Sequence, residues 1–360
     1  MSAEPDTFDT RWPSLLPAPA ARGMLRTEPE DFEVEELPAY PLSGEGEHLF
    51  LWLEKRLRTT DQVVRDLAAG LGVSADEIGS AGLKDRRAVT RQWLSVPARA
   101  AERLAGLELA GARVLESRRH GNKLRTGHLR GNRFRLLVRG VDPGQAPELT
   151  ARAEELRRRG APNYFGPQRF GRGLANEAEG RAVLAGRGRR HDRRGLRFVL
   201  NAAQAALFND LLARRLRADL LSRVLEGDLL LKADSGGQFL CCAPAEDQPR
   251  ADRFEVHPTG PMFGPKMRAP QGVPASMEAE VLSAAGIGPE TFQRFAKLTQ
   301  GTRRSLRLAL PDLELSFEPA GLRLAFSLPA GAYATVVLRE LLQVEEPAEE
   351  GAEHEQADGA

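Results

Sequence analysis

A single carboxylate, Asp85, stands among three cations in the stretch SAGLKDRRAVTRQWLSV, residues 80–96. Lys84 precedes it, and Arg86 and Arg87 follow it. Neighbouring positive charges favour the ionised form of a carboxyl group, so we expect Asp85 to be negative at neutral pH. An ionised carboxylate suits a nucleophile or a base and does not suit a general acid. The alternative is structural, because an Asp in this setting can also cap a turn or pair with Arg86.

A second candidate site lies in RRHGNKLRTGHLRGNRF, residues 118–134. Asn132 and Phe134 begin a predicted strand, and the two-residue period of a strand puts them on the same face. An amide beside an aromatic ring can hydrogen-bond the edge of a nucleobase and stack on its face. If Phe134 lines such a pocket, its ring should pack incompletely in the free protein. The alternative is that Phe134 is an ordinary core residue.

Two basic segments indicate a nucleic-acid partner. Residues 117–140 contain eight cations and no acid, and residues 157–197 contain twelve arginines and three acids. Glycine, histidine, asparagine and aromatic residues lie between these cations, a mixture that suits phosphate backbones and unstacked bases. By contrast, residues 345–360 carry seven acids and neither Lys nor Arg, so they are predicted to form a disordered acidic tail.

Composition and missing motifs narrow the function classes. A chain of 360 residues, 41% hydrophobic and 28% charged, is typical of a soluble protein of about two domains. It has no apolar run near the ~18 residues of a membrane span and no signal peptide, so we expect a cytoplasmic protein without membrane association. The two cysteines are adjacent, the six histidines lack metal-ligand spacing, and no phosphate-binding loop is present. We therefore expect neither a metal nor another cofactor.

The elements that must position these residues change in type along the chain. Period-two patterns predict strands in EDFEVEE, HLFLWLEKR, TRQWLSVP and NRFRLLVRG, and strands return after Arg303. Within LFLWL, leucines alternate with aromatic rings and should occupy opposite faces. Thr60 and Gly70 are expected to begin and end a helix, and a longer helical pattern covers residues 200–225. This order predicts one α+β domain interrupted by an insertion.

Seven segments carry a resemblance to the tRNA pseudouridine synthase D (TruD) family. They are PEDFEVEE (29–36), GEGEH (44–48), AGLKDRRAVTRQW (81–93), RHGNKLRTGHLRGNRF (119–134), PNYFGPQRFG (162–171), LFN (207–209) and LPAGAYATVVLREL (328–341). They keep the family's order over nearly the whole chain, and the KDxxAxTxQ and GNxF patterns are specific to it. The resemblance implies an isomerase that converts a uridine of tRNA, position thirteen in the D-arm, to pseudouridine without a cofactor and with the base flipped out.

The resemblance also implies roles for single residues. Asp85 matches the family's nucleophile, and four residues match positions that line the uridine pocket: Phe32, Asn132, Phe134 and Tyr333. The cations beside Asp85 are expected to keep it ionised and to receive phosphates, and Lys84 is expected to contact the substrate. The predicted contacts to the RNA backbone are Arg86, Arg118, Arg119, Lys123, Arg125 and Arg130.

The implied fold is a pseudouridine synthase core with a mixed, largely antiparallel sheet, interrupted by an inserted α/β domain that contacts tRNA. The predicted division assigns residues 1–159 and 306–344 to the core, 160–305 to the insertion and 345–360 to the tail. The chain departs from relatives at Arg26, where they often carry Lys, and at Tyr333, where some carry Phe. NAAQAALFN also lacks the Ser and Arg that relatives often show before LFN.

The reaction route and the partners are less constrained. Asp85 could attack C6 of uracil, attack the anomeric carbon or remove a ribose proton, and the sequence does not identify which tRNAs are modified. We expect a monomer without an obligate protein partner. The competing function class is a non-catalytic RNA-binding protein on the same scaffold, and the two classes differ in whether activity on tRNA is lost with Asp85.

Overall fold

The structure is a computed structural model, and it describes residues 11–347 except the side chains of Arg172 and Pro289. The strands are β1 (Arg22–Met24), β2 (Phe32–Pro38), β3 (His48–Arg56), β4 (Gly79–Ser80), β5 (Val89–Pro97), β6 (Ala112–His120), β7 (Leu129–Val138), β8 (Ala161–Pro162), β9 (Leu229–Lys232), β10 (Gln238–Leu240), β11 (Val256–Met262), β12 (Thr302–Ser305), β13 (Arg307–Leu308), β14 (Glu314–Glu318), β15 (Gly321–Pro329) and β16 (Gln343–Glu345). The α-helices are α1 (Thr60–Leu71), α2 (Ala146–Arg159), α3 (Ala175–Leu184), α4 (Arg193–Arg217), α5 (Pro244–Asp252), α6 (Gly272–Ala284) and α7 (Ala334–Leu341).

The chain divides into two compact units. Within the described residues, the first comprises Pro19–Ala153, Leu310–Gly331 and 341–347, and the second comprises 11–18, Glu154–Ala309 and Ala332–Glu340. Each unit therefore combines segments that are distant in the sequence. The functional division into a core and an inserted tRNA-contacting domain stays a prediction.

The first unit is built around an eight-stranded sheet with the order β14-β15-β7-β2-β5-β3-β6, in which β4 also pairs with β5. The β2–β5 pair is parallel, and the other pairs of this sheet are antiparallel. The mixed, largely antiparallel sheet and the α+β class are thus confirmed. The sheet brings β2, β5 and β7, which carry most of the candidate site residues or flank them, into adjacent positions.

The alternating pattern of β3 has the predicted two faces. Three leucines pack with the apolar face of α1 in one core cluster: Leu49, Leu51 and Leu53. Phe50 belongs to a separate cluster on the opposite face. This alternation follows from the two-residue period of an extended strand.

The ends of α1 differ by one or two residues from the predicted ones. Thr59 is the N-cap, with an extended backbone and a side chain that accepts a hydrogen bond from the backbone N–H of Gln62. Thr60 is instead the first helical residue. At the other end Gly72, and not Gly70, adopts the left-handed conformation, with φ of 63°. The predicted cap assignments were therefore wrong, because either of two adjacent threonines and either of two glycines fits the local pattern.

The second unit is richer in helices. Its core cluster includes the buried side of α4, whose central residues from Leu200 to Ala213 are largely buried. The helix ends at Arg217, so the predicted continuation to residue 225 was wrong. A four-stranded sheet in the order β10-β9-β11-β12 and the short β8–β13 pair complete the strands of this unit.

The acidic end of the chain begins within a strand. Glu345 belongs to β16, which pairs in parallel with β1, and its Cα partner is Met24. The prediction of disorder from residue 345 onward is therefore wrong for Glu345 itself, and residues 348–360 lie outside the described residues. Within the described chain, none of the helices has both the length and the apolar composition that crossing a bilayer requires.

Candidate active site

The Asp85 carboxylate lies in the loop between β4 and β5, with 44% of its side chain exposed. Its Oδ2 atom is 3.6 Å from Nη2 of Arg26, whose side chain is only 9% exposed. The ion-pair partner of Asp85 is thus Arg26 and not its sequence neighbour Arg86. The exposed carboxylate of Asp85 therefore lies beside a mostly buried guanidinium.

Lys84 and Arg87, which lie next to Asp85 in the sequence, form their hydrogen bonds with other groups. Lys84 Nζ lies 2.7 Å from Oε2 of Glu36, and the two side chains are 4% and 1% exposed. Arg87 donates to the backbone carbonyls of Arg26 and Pro347. The expected role of these two cations, to keep Asp85 ionised and to receive phosphates, stays a prediction. The burial of Lys84 favours a structural role over the predicted substrate contact.

Buried polar side chains hold the backbone of the loop. The Lys84 backbone N–H donates to Thr60 Oγ1 over 3.1 Å, and the Thr60 hydroxyl donates to Gln92 Oε1 over 2.9 Å. Gln92 Nε2 in turn donates to the carbonyl of Gly82. Thr60 and Gln92 are nearly fully buried. Hydrogen bonds from α1 and β5 therefore fix the chain just before Asp85.

Lys55 was not singled out in the sequence, yet its ammonium contacts the same loop. Nζ donates to the carbonyl of Asp85 over 2.7 Å and to that of Lys84 over 3.3 Å. Burial lowers the pKa of Lys55 to about 8; the nearby charge of Asp85 acts against this shift and that of Lys84 adds to it. The only available sequence signal was its position on β3, which continues the two-residue alternation of the buried Leu51 and Leu53.

An aromatic cluster lies next to the ion pair of Asp85. The Arg26 guanidinium is stacked over the ring of Phe32, 3.9 Å from its centroid. Phe32 meets Phe134 edge-on at 6.2 Å, and Phe134 stacks on Phe326 at 5.5 Å. Phe134 is only 6% exposed. The expectation of incomplete packing is therefore wrong, and this ring contributes to the core whatever else it contacts.

Asn132 lies beside this cluster on the same strand as Phe134. In the sheet register its Cα partner on β2 is Glu36, and the residue two places on, Phe134, pairs with Val34. The Oδ1 atom of Asn132 is buried and has no hydrogen-bond partner within residues 11–347. A buried acceptor without a donor is unfavourable, so this amide is a candidate for binding a ligand.

Tyr333 belongs to the second unit, immediately before α7. Its ring meets that of Phe165 edge-on at 6.2 Å. A Cβ added to Gly166 would lie 2.9 Å from Cδ1 of Tyr333, so a glycine is needed for the ring to sit there. Its role in the uridine pocket stays a prediction.

The six cations predicted to contact RNA all lie in the first unit. Arg118 and Arg119 are on β6, and Arg119 donates weakly to the carbonyl of Gly46 over 3.5 Å. Arg118 forms an ion pair with Glu116 while 61% of its side chain is exposed. The exposed members of the set are Arg86, Arg118, Arg119, Arg125 and Arg130, and Lys123 is half-buried and donates to a backbone carbonyl.

Part of the second basic segment is neutralised by acids. Arg159 lies 2.7 Å from Asp219, and Arg181 lies 2.8 Å from Asp210. The charge that this segment offers to a phosphate is therefore smaller than its composition indicated. In the described part of the chain, no three or more His, Cys, Asp or Glu side chains are grouped so that they could hold a metal ion.

Comparisons with known proteins identify the family to which the chain is similar. The family model described as tRNA pseudouridine synthase D (TruD) matches residues 15–191 and 192–341. The tRNA pseudouridine synthase D of Anaeromyxobacter dehalogenans is 49% identical over 91% of this chain and 94% of the relative. That of Thermus thermophilus is 46% identical over 95% of this chain and 97% of the relative. A crystal structure assigned to tRNA pseudouridine synthase D from Methanosarcina mazei shares the fold with a TM-score of 0.75 at 24% identity, covering 92% of this chain and 95% of that chain.

The buried Glu36–Lys84 pair leads to a stability prediction. Lys84→Met should lower the free energy of unfolding by about 3–5 kcal/mol, because it leaves the Glu36 carboxylate buried without a counter-ion. The double variant Lys84→Met/Glu36→Leu should recover most of this loss. Urea denaturation at neutral pH measures both.

The matched control is Arg99→Met, which removes the exposed pair of Arg99 with Glu77 and should cost at most about 1 kcal/mol. A Lys84 variant no less stable than this control would contradict the structural role.

Proposed function

The chain belongs to the tRNA pseudouridine synthase D family and isomerises uridine to pseudouridine in tRNA, and we propose that Asp85 is the catalytic carboxylate, acting on a flipped uridine. We further propose that the target is the uridine at position thirteen of the D-arm. The enzyme is expected to act as a monomer in the cytoplasm, without a cofactor. These finer points rest on the resemblance of the motifs.

The observation that carries the proposal is the contrast between the side chain and the backbone of Asp85. The carboxylate is 44% exposed, whereas Thr60, Gln92 and Lys55 hold the backbone around it by hydrogen bonds. A reacting group must reach its substrate and yet keep its position within a fraction of an ångström. A surface ion pair alone does not require such an anchored loop.

The chemistry needs little beyond this carboxylate. The bond between C1′ of the ribose and N1 of uracil breaks, a bond from C1′ to C5 forms, the proton on C5 is lost and N1 gains a proton. No redox change or hydrolysis occurs. Attack at C6, attack at C1′ and removal of a ribose proton all require a negative oxygen at Asp85. The guanidinium of Arg26, 3.6 Å from Oδ2 of Asp85, places a positive charge beside this oxygen.

The proposed uracil site is the edge of the aromatic cluster beside Asn132. Uracil is buried in a duplex or loop stack, and flipping it out costs a few kcal/mol that new contacts must offset. The unsatisfied Oδ1 of Asn132 is suited to accept a hydrogen bond from N3–H of the base. Phe134 and Phe32 would provide the apolar surface next to it.

The phosphates are proposed to meet the exposed cations of the first unit. Arg118 and Arg119 are both exposed on β6. Arg86, Arg125 and Arg130 are exposed as well. Charge neutralisation of this kind supplies affinity without sequence preference.

Replacing Asp85 by Asn tests the catalytic carboxylate. The amide keeps the size of the side chain and removes the negative charge, so the variant should bind tRNA and form no detectable pseudouridine. Carbodiimide-based mapping of refolded tRNA measures the product, because the isomerisation does not change mass. Asp61→Asn removes another exposed carboxylate of the first unit and should be fully active. If Asp85→Asn turned over within about tenfold of the parent, the assignment would be wrong.

A pair of phenylalanine variants separates packing from substrate contact. Phe134 and Phe326 are 6% and 1% exposed and stack on each other, so each change to Ala should lower the free energy of unfolding by about 3–5 kcal/mol. Only Phe134 is proposed to contact uracil. At a temperature where both variants stay folded, Phe134→Ala should therefore lose roughly 5- to 160-fold more turnover than Phe326→Ala, the equivalent of about 1–3 kcal/mol of stacking. Equal losses would assign Phe134 to the core alone.

The salt dependence of tRNA binding tests the cationic surface. The logarithm of affinity should fall linearly with the logarithm of salt concentration, and Arg118→Ala/Arg119→Ala should reduce the slope by roughly one to two. Arg113→Ala is the matched control, because Arg113 lies on the same strand and is 70% exposed. An unchanged slope in the double variant, or an equal change in the control, would remove this surface from the RNA interface.

A further inference from the structure

Lys55 is a buried charged residue whose hydrogen-bond partners among residues 11–347 include no carboxylate. It lies on β3 between Glu54 and Arg56 and is 1% exposed. Its Cα partners are Thr90 on β5 and Ala112 on β6, neither of which carries charge. Taking an ammonium group out of water is costly, and an apolar side chain of similar length would fill this space without that cost.

The ammonium group is fully engaged, and its partners are all backbone carbonyls. A lysine has three N–H donors. Nζ donates to the carbonyl of Arg58 over 2.7 Å, to that of Asp85 over 2.7 Å and to that of Lys84 over 3.3 Å. Two of the three acceptors are therefore consecutive residues of the loop that carries the proposed catalytic group.

We propose that Lys55 is a positioning residue for the reaction, which holds the Asp85 carboxylate in place through the carbonyls of Lys84 and Asp85. The proposal rests on the proposed role of Asp85. Each carbonyl is fixed by a charge-assisted hydrogen bond, a class about twice as strong as neutral ones. The α-carbon of Asp85 is thereby fixed while its carboxylate stays exposed.

The alternative is that Lys55 only closes the turn between β3 and α1 through the carbonyl of Arg58. A turn-closing lysine would affect stability and would not couple its charge to the rate. The charged groups that face Lys55 are Asp85, which favours its protonated form, and Lys84, which opposes it. Both lie in the loop, so the charge of Lys55 and the position of the loop are linked.

The pH dependence of the parent enzyme is the first test. The pKa of Lys55 is lowered to about 8, so the ammonium is present below this pH and is lost as the pH rises through it. The neutral amine has two donors left for three carbonyls. The single-turnover rate of pseudouridine formation, with refolded tRNA and excess enzyme, should be highest below about pH 8 and should decline above it.

Two variants of Lys55 should change this profile in different ways. Lys55→Met should reduce kcat by about 10- to 100-fold at neutral pH, the expected effect of a small misplacement, and its rate should not decline above pH 8. Lys55→Arg keeps a charge that is not titrated in this range, so it should recover part of the rate and move the decline to higher pH.

The affinity for tRNA should change by less than about twofold in both variants of Lys55, because Lys55 is buried. Lys232→Met, which removes an exposed lysine of the second unit, should keep the profile of the parent.

Hydrogen exchange separates this proposal from the role of Asp85. In Lys55→Met, amides of residues 81–88 should exchange faster than in the parent, while those of β5 stay protected. Faster exchange confined to this loop, together with an active Asp85→Asn enzyme, would show that Lys55 anchors the loop and that Asp85 is not the catalytic carboxylate. A pH profile shared by the parent and Lys55→Met, or a Lys55→Met enzyme with parental kcat in the cold, would overturn the proposal.

Discussion

A reacting carboxylate has to be exposed to its substrate and fixed in position at the same time. The loop of Asp85, the proposed catalytic residue, divides these two requirements between side chain and backbone. The side chain is 44% exposed, while the backbone is held by groups that are almost completely buried: Glu36 through Lys84, Thr60, and Lys55. Each of these comes from a different element, β2, α1 or β3. The loop therefore keeps its geometry only while the sheet and helix around it are folded.

Holding the Asp85 loop in position in this way lowers the free energy of unfolding. Two ammonium groups are removed from water beneath the loop, and apolar residues of the same size would cost less free energy there. The surrounding cluster of Leu51, Leu53 and Leu67, each fully buried, supplies hydrophobic stabilisation in the same unit. The burial of Lys55 also lowers its pKa to about 8, which brings a lysine into the range where a change of pH can alter its charge.

The aromatic residues of the site contribute both to core packing and to the position of a charged group. Phe32 and Phe134 are part of the core beside the sheet, with 2% and 6% of their surfaces exposed. The guanidinium of Arg26 also stacks on the face of the Phe32 ring. A guanidinium stacked on a ring keeps its charge in a partly desolvated position. The ion pair with Asp85 thus depends on the aromatic packing, and a mutation in the core can change the electrostatics of the site.

By itself, the sequence determined the family, the α+β class and the two faces of β3, and it singled out Asp85 for the proposed catalytic role, because these follow from residue type and from patterns along a few consecutive residues. It did not determine which charges meet. Lys84 pairs with Glu36, 48 residues away, and Arg26 pairs with Asp85, since the parallel pairing of β2 with β5 brings these segments together. Only the tertiary structure decided this, because ion pairing depends on distances in space, and those are set by strand register over segments that the local pattern does not connect.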